Sequence, residues 1–462
     1  MPSPRLPRLA PVELPDFGLP ESMPDVADGT HADRLARLRD RAGAAGLQRV
    51  VVYADREHSA NLSYLSGFDP RFEEALLILA TDGSEDPAIL VGNECWGTAG
   101  AAPLPMRRHR FQDFSLPSQP RDRSQPLREI LDAEGVRDGT RVGAVGWKSY
   151  GASERSDLPA YLIDELRAAV GPSGSVRNAT DLLIGAADGL RVINDADQLA
   201  QFEWASCQTS SGVRNLLRGL RPGLTEHDAV ALLGWKGTPL SCHLMLTAGE
   251  RARFGLLSPS DRPIQAGDPF TTAFGIWGAL TCRAGWVVED ASGLPDGIGD
   301  YVERLVAPYF AAVAAWYEAI RIGVTGGELH DLVMRHLGDP FYGIFLNPGH
   351  QLHLDEWVNS PIFAGSTIEL RSGMCFQVDI IPATGTAYFT TNIEDGIALA
   401  DASLRAELAE RHPGMWARVE ARRAFMRDAL GIELHADVLP LSNLAAHLPP
   451  FLLRPDHAMT LV

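Results

Sequence analysis

Two stretches of this chain repeat one another at nearly constant spacing. Arg221-Pro222-Gly223-Leu224-Thr225 resembles Arg321-Ile322-Gly323-Val324-Thr325, a step from 221 to 321 of 100 residues. Ile264-Gln265-Ala266-Gly267-Asp268-Pro269-Phe270 resembles Leu370-Arg371-Ser372-Gly373-Met374-Cys375-Phe376, a step from 264 to 370 of 106 residues. The first landmark precedes a helical pattern and the second an extended one, so helix and strand recur in the same order. A duplicated half-domain is the reading this favours, and two α+β halves facing each other enclose a cleft, a usual place for a ligand. The repeat also makes a comparison. Six residues beyond Gly267 stands Ala273, and six beyond Gly373 stands Asp379. One side of the cleft thus carries an alanine where the other carries a carboxylate.

A chain of 462 residues is expected to form two or three domains. Residues 1–30 are Pro-rich and read as an irregular surface arm. Residues 31–188 alternate helix and strand: a helix from about His31 to Gly46, then buried-type strands at Arg49 to Ala54, Ala75 to Ala80, Ala88 to Val91 and Arg141 to Val145. Residues 189–462 open with a long amphipathic helix from about Asp195 to Leu220, stopped by Arg221-Pro222-Gly223. The fold class expected is an α/β N-terminal domain followed by an α+β domain with internal pseudo-symmetry. The apolar run Tyr309 to Ile320 includes Glu318 and is shorter than the about 20 residues a membrane span needs, so it reads as a core helix.

The formal net charge of -18 argues against nucleic acid and anionic membrane as partners, since both need basic patches. Small molecules fit better. Five cysteines without a C-x-x-C pair point to a reducing compartment. With no signal-like apolar core in the first 30 residues, a cytoplasmic location is expected.

Leu190-Arg191-Val192-Ile193, Arg221-Pro222-Gly223-Leu224-Thr225-Glu226, Gly267-Asp268, Pro348-Gly349-His350, Gly373-Met374 and Ile393-Glu394-Asp395 occur in an order that resembles the catalytic domain of the pita-bread proteins. That is the creatinase/aminopeptidase P (M24) superfamily, with aminopeptidase P, prolidase, methionine aminopeptidase and creatinase. Tyr53-Ala54-Asp55-Arg56-Glu57-His58 through Gly67-Phe68-Asp69-Pro70-Arg71-Phe72-Glu73-Glu74 resembles the N-terminal domain of its creatinase and aminopeptidase P branch. The resemblance runs from about residue 31 to the end. It is more specific for fold than for reaction.

Metal-dependent relatives hold two ions with two Asp, one His and two Glu. The resemblance places the first Asp at Ala273 and the second near Leu280, with Arg283 matching the family's arginine. His350 matches the histidine, Asp379 stands for the first Glu, and Glu394 keeps the last. A two-metal site needs several carboxylates at close range. Ala273 and Leu280 supply no donor atom, so no metal and no cofactor is expected. Three ligands would at most hold one cation. Creatinase is the family's metal-free precedent, yet the histidine of its H-x-x-P segment falls here on Leu256, in Leu256-Leu257-Ser258-Pro259, so creatine is not the expected substrate.

His350, Asp379 and Glu394 are therefore the candidate acid–base groups. His243, beside Cys242, and His353, Trp357, Arg283 and Arg71 are candidate substrate contacts. Trp357 lies in Asp355-Glu356-Trp357, where the family often has a second histidine. Cys282, next to Arg283, is considered as a thiol of lowered pKa against the commoner buried, inert cysteine. The resemblance implies a homodimer in which Arg71 of one subunit reaches the other's cleft as a carboxylate clamp. The leading reading is a metal-independent hydrolase that cleaves a C–N bond in a small amino-acid- or amidine-type substrate. A mononuclear Xaa-Pro peptidase-like hydrolase and a non-catalytic binding protein remain open beside it.

Overall fold

The computed structural model describes residues 6–27 and 29–461. The chain divides into two compact units, Val26–Arg191 and the remainder, Met1–Asp25 with Val192–Val462.

In the Val26–Arg191 unit, six strands form one sheet in the order Arg107–Arg110, Ala88–Val91, Ala75–Ala80, Arg49–Ala54, Arg141–Val145, Ser175–Asn178. Ala75–Ala80 runs antiparallel to both neighbours, and the other pairs are parallel. The continuous apolar runs of the inner strands suit strands covered on both faces. Ala75–Ala80 and Ala88–Val91 are buried at every position. On one face Val51, Leu76, Ile78 and Leu90 pack with Leu131, Leu162 and Leu166 of the helices Leu127–Ala133 and Ala160–Val170.

The other unit carries the repeat. Its first sheet has the order Asn392–Glu394, Ala279–Trp286, Pro269–Ile276, Met245–Ala248, and its second His350–Gln351, Cys375–Gln377, Gly396–Leu399, Val438–Pro440, all antiparallel. The two halves are built by the same local chemistry. Thr225 and Thr325 each cap a helix, in capping boxes with Asp228 and Glu328. The Gly223 amide donates to Ile264 O, and the Gly323 amide to Leu370 O. Both glycines take positive φ, 94° and 88°, which L side chains rarely adopt. The duplicated architecture is therefore a real feature of the fold, and the strand after Gly267 corresponds to the strand after Gly373.

The long helix spans Ala196–Gly219, with the Asp195 side chain accepting from the Gln198 amide. Helix Ala307–Ala319 is a core element, as its apolar run implied: Tyr309, Phe310, Val313 and Trp316 are fully buried. One expectation for the first 30 residues is corrected. Arg8–Pro11 is not irregular but a strand, paired antiparallel with His457–Thr460 of the same unit. Pro11 sits at its end, where a missing amide costs little. Among the described residues, no helix is long and apolar enough to cross a membrane.

Candidate active site

Pro348-Gly349-His350 delivers the central histidine. The Trp316 indole N–H donates to Pro348 O at 2.9 Å, and Ser360 Oγ donates to Gly349 O at 2.7 Å. Gly349 has φ +118°, and a Cβ there would approach Gln377 O, Trp316 and Ile362 to about 3.1–3.2 Å. Only glycine suits that backbone. His350 then begins a short strand in register with Gln377 and is completely buried.

Glu394 lies on the opposite sheet and faces His350: Nε2 is 3.2 Å from Glu394 Oε1. Asp379, just beyond Cys375–Gln377, places Oδ2 3.9 Å from the same nitrogen. Ligand-type atoms of His350, Asp379 and Glu394 all lie within 4.8 Å of one another. The structure thus brings together the three candidate acid–base groups.

A fourth group, missed in the sequence, completes the cluster. Glu356 Oε1 is 3.2 Å from His350 Nε2, and Trp357 stacks on the imidazole. Both come from a loop closed at its base by backbone hydrogen bonds between Gln351 and Asn359 and between Val358 and Gln351. The signal available was the acidic Asp355-Glu356 pair preceding Trp357, where the family's second histidine would stand.

One imidazole therefore sits among three carboxylates. Its other nitrogen, Nδ1, lies 3.2 Å from Gln351 O, so its neighbours are all oxygens. That environment suits the doubly protonated ring. Burial opposes the charge, but Glu356, then Glu394 and Asp379, reverse this and hold the pKa well above the usual histidine value. The carboxyls respond in kind. Burial, then the charge of Glu394, push Asp379 well up, against the pull of His350. Burial raises Glu394 too, although hydrogen bonding to His350 partly offsets it. Asp379 Oδ1 is buried with no hydrogen-bond partner among the described residues.

The aspartate side of the cleft is apolar. Met245, Ala273, Cys282 and Glu394 stand directly opposite one another in a row across the first sheet. Met245, Ala273, Leu280 and Cys282 form one buried cluster with Cys242 packed against it. Along this row the one oxygen donor is the carboxylate of Glu394, and the remaining donors are the sulfurs of Cys282 and Met245. A two-metal centre needs hard oxygen donors where Ala273 and Leu280 stand, so these residues do not fit one.

The other candidates lie elsewhere. Arg283, expected to contact substrate, points to the far face of its strand, because neighbours alternate. There it is fully buried, paired with Asp395 at 2.7 Å and donating to His447 O. Asp395 also accepts from Ser442 Oγ and the Ala446 amide. Arg283 is thus a structural cation, and it does not lower the Cys282 pKa. Burial and Glu394 instead push that thiol well above its usual value. His243 is exposed and bonds to Leu256 O at 2.7 Å, outside the cluster. His353 is buried edge-on against Phe202, with ring centroids 5.0 Å apart. Arg71 belongs to the Val26–Arg191 unit, where it pairs with Asp69 at 3.1 Å.

Residues 202–404 match the model of metallopeptidase family M24. The fold resembles the dipeptidase PepE from Mycobacterium ulcerans (TM-score 0.61, 19% identity, covering 81% of this chain and 94% of that one). It also resembles a prolidase from Thermococcus sibiricus (0.65, 16%, 82% and 96%) and an X-Pro aminopeptidase from Thermotoga maritima MSB8 (0.61, 16%, 79% and 94%). No curated protein sequence matches the chain. An N-terminal domain followed by a pita-bread domain defines the class, a peptidase-like protein. Residues 202–404 are thus an M24-type domain, of the creatinase/aminopeptidase P kind, within a chain that shares its fold with these structures.

Proposed function

We propose that this protein is a hydrolase of a C–N bond in a small amino-acid- or amidine-type substrate, with proton transfer at His350, Asp379 and Glu394 in place of a two-metal centre. The observation that carries this reading is His350 Nε2, held 3.2 Å from both Glu394 and Glu356 opposite an apolar row. A histidine kept cationic can protonate a leaving nitrogen, and a carboxylate of raised pKa can take a proton near neutral pH. The unpartnered Asp379 Oδ1 offers an acceptor for a substrate N–H. The similar structures, which include a dipeptidase, a prolidase and an X-Pro aminopeptidase, support C–N hydrolysis as the reaction class. Assembly as a homodimer, with Arg71 reaching a substrate carboxylate, belongs to the same proposal.

The close set of donor atoms favours one second reading. His350, Asp379 and Glu394 would hold a single divalent cation, which would supply Lewis-acid chemistry. One experiment separates the two. The full-length protein is treated with chelator, its metal content is measured, and it is offered a panel of small amides, amidines and N-acyl amino acids. Turnover that survives chelation and disappears in His350→Gln supports the acid–base reading. Turnover lost on chelation and restored by one equivalent of metal replaces it with the mononuclear one.

A further inference from the structure

The acid–base reading leaves one buried reactive group unused. Cys282 stands directly opposite Glu394 in the sheet, and its Sγ lies 2.8 Å from Glu394 Oε2. The other oxygen of the same carboxylate, Oε1, takes His350 Nε2 at 3.2 Å. A thiol, a carboxylate and an imidazole are thus joined through the two oxygens of one side chain. Close by, the buried Asp379 Oδ1 has no hydrogen-bond donor among the described residues, which marks this as a place for a ligand.

We infer that Cys282 is the covalent nucleophile of this site, with Glu394 as its base and His350 as the acid for the leaving nitrogen. The inference rests on the C–N hydrolysis proposed above. A buried thiol is a poor nucleophile until its proton is removed, and an adjacent base performs that task. Neighbouring Arg283 cannot, because it lies on the other face of the strand in its pair with Asp395. In the first half-reaction the Cys282 proton passes to Glu394 as Sγ bonds to the substrate carbon. The C–N bond then breaks, and the nitrogen leaves with a proton from His350. In the second half-reaction water attacks the S-linked carbon. The C–S bond breaks, the thiol is regenerated, and the protons held by Glu394 and lost by His350 return to their starting places. The sum is substrate plus water giving amine and acid, or amine and amide from an amidine, with no oxidant or reductant. The apolar row from Met245 to Ala273 leaves the carbon side of the substrate next to Cys282 without a competing polar group.

Two electrophiles test this without knowledge of the natural substrate. Chloroacetamide and 2-chloroacetamidine each lose chloride to an attacking thiolate and leave a stable adduct. On the full-length protein, peptide mass mapping is expected to find the adduct on Cys282. The Glu394→Gln protein should label there about a hundredfold more slowly, the usual scale of a lost general base. Adduct on the partly exposed Cys242 alone, or equal labelling of Cys282 in Glu394→Gln, overturns the inference. Turnover gives an independent arm. A Cys282→Ser protein that consumes a small amide or amidine at the wild-type rate, while His350→Gln does not, removes the nucleophile and leaves the acid–base reading standing. If labelling occurs as expected and His350→Gln keeps full turnover, the acid–base reading and the acid role of His350 fail together, and only the Cys282–Glu394 pair remains.

Discussion

Trp357 lies flat on His350, the two ring centroids 4.2 Å apart and the planes only 16° from parallel. An indole face is a favourable seat for a cation, worth about 0.5–2 kcal/mol depending on desolvation. The preceding residue, Glu356, meets the same imidazole at Nε2. One loop thus supplies both a face and a counter-charge to a histidine that is itself fully buried. Trp357 is 40% exposed, so this loop also forms the solvent side of the site.

Removing the counter-charge should move the site's pH dependence in a defined direction. The folded pKa of His350 is well above its ordinary value of about 6.5, and after burial, which lowers it, Glu356 is the largest influence and raises it. A raised histidine pKa contributes stability that is fully present below about pH 6.5 and is lost as pH rises through the folded value. The raised pKa values of Asp379 and Glu394 tilt stability the same way, towards lower pH. In Glu356→Gln the folded pKa of His350 falls, so the decline of Tm with rising pH should still begin near about pH 6.5 but end at a lower pH and be smaller. If His350 is the acid, the alkaline limb of kcat should shift down as well. Parallel Tm curves for wild type and variant between about pH 6 and 9 would contradict this.

Arg283 makes a contrasting prediction. Deleting one partner of a buried ion pair leaves an uncompensated charge and costs about 3–5 kcal/mol. Arg283→Met should therefore lower denaturant stability by that order, with Asp395→Asn also destabilising. At a temperature where the Arg283→Met protein remains folded, KM should change little. A large rise in KM with unchanged stability would restore Arg283 to the substrate.

These contrasts show what the sequence makes legible. The repeat is plain because it is written in residues that the backbone requires: Gly223 and Gly323 at positive φ, and Thr225 and Thr325 at helix caps. His350 is legible because Pro348-Gly349 fixes where it goes. Asp379 follows from its place six residues beyond Gly373 in the repeat, and Glu394 from the resemblance of Ile393-Glu394-Asp395 to the family's last glutamate. Arg283 was misjudged because adjacency to site residues in sequence means opposite faces in a strand. Glu356 was not legible, since its role depends on a loop closed by backbone hydrogen bonds between Gln351 and its return strand. No residue pattern encodes that closure. Within the otherwise irregular N-terminal arm one strand was not legible, for a similar reason: Arg8–Pro11 becomes a strand only through a partner more than 400 positions away, at His457–Thr460.

Metal content follows from the row Met245, Ala273, Cys282, Glu394. Protein purified without added metal should contain well under one equivalent of Zn, Mn, Fe or Co by elemental analysis. Added Mn or Co should not reach two equivalents, because Ala273 and Leu280 provide no donor atoms. Replacing Ala273 with Asp adds a carboxylate beside Cys282 and Glu394, and metal affinity should rise in that variant. Two tightly held equivalents in the unmodified protein would contradict the donor count. One equivalent, lost in His350→Ala, would favour the mononuclear reading.

His350 offers the sharpest test of the acid–base role. General acid–base groups typically contribute about 10²–10⁴-fold to rate. His350→Ala and His350→Gln should both lose turnover by that order. Glutamine reaches similar hydrogen-bond distances to Glu394 and Glu356, yet it cannot carry a proton near neutral pH. It therefore preserves geometry while removing the chemistry. The three carboxylates lose their cation in this variant, but the pKa values of Asp379 and Glu394 are already raised, so these groups can take up protons rather than repel. The Gln protein should accordingly retain its oligomeric state in light scattering and melt close to wild type at neutral pH, while kcat falls. A histidine that merely braced the site would show the reverse, with Gln tolerated and Ala unstable. Unchanged turnover in His350→Gln would exclude the imidazole as proton carrier and shift that role to Asp379 or Glu394.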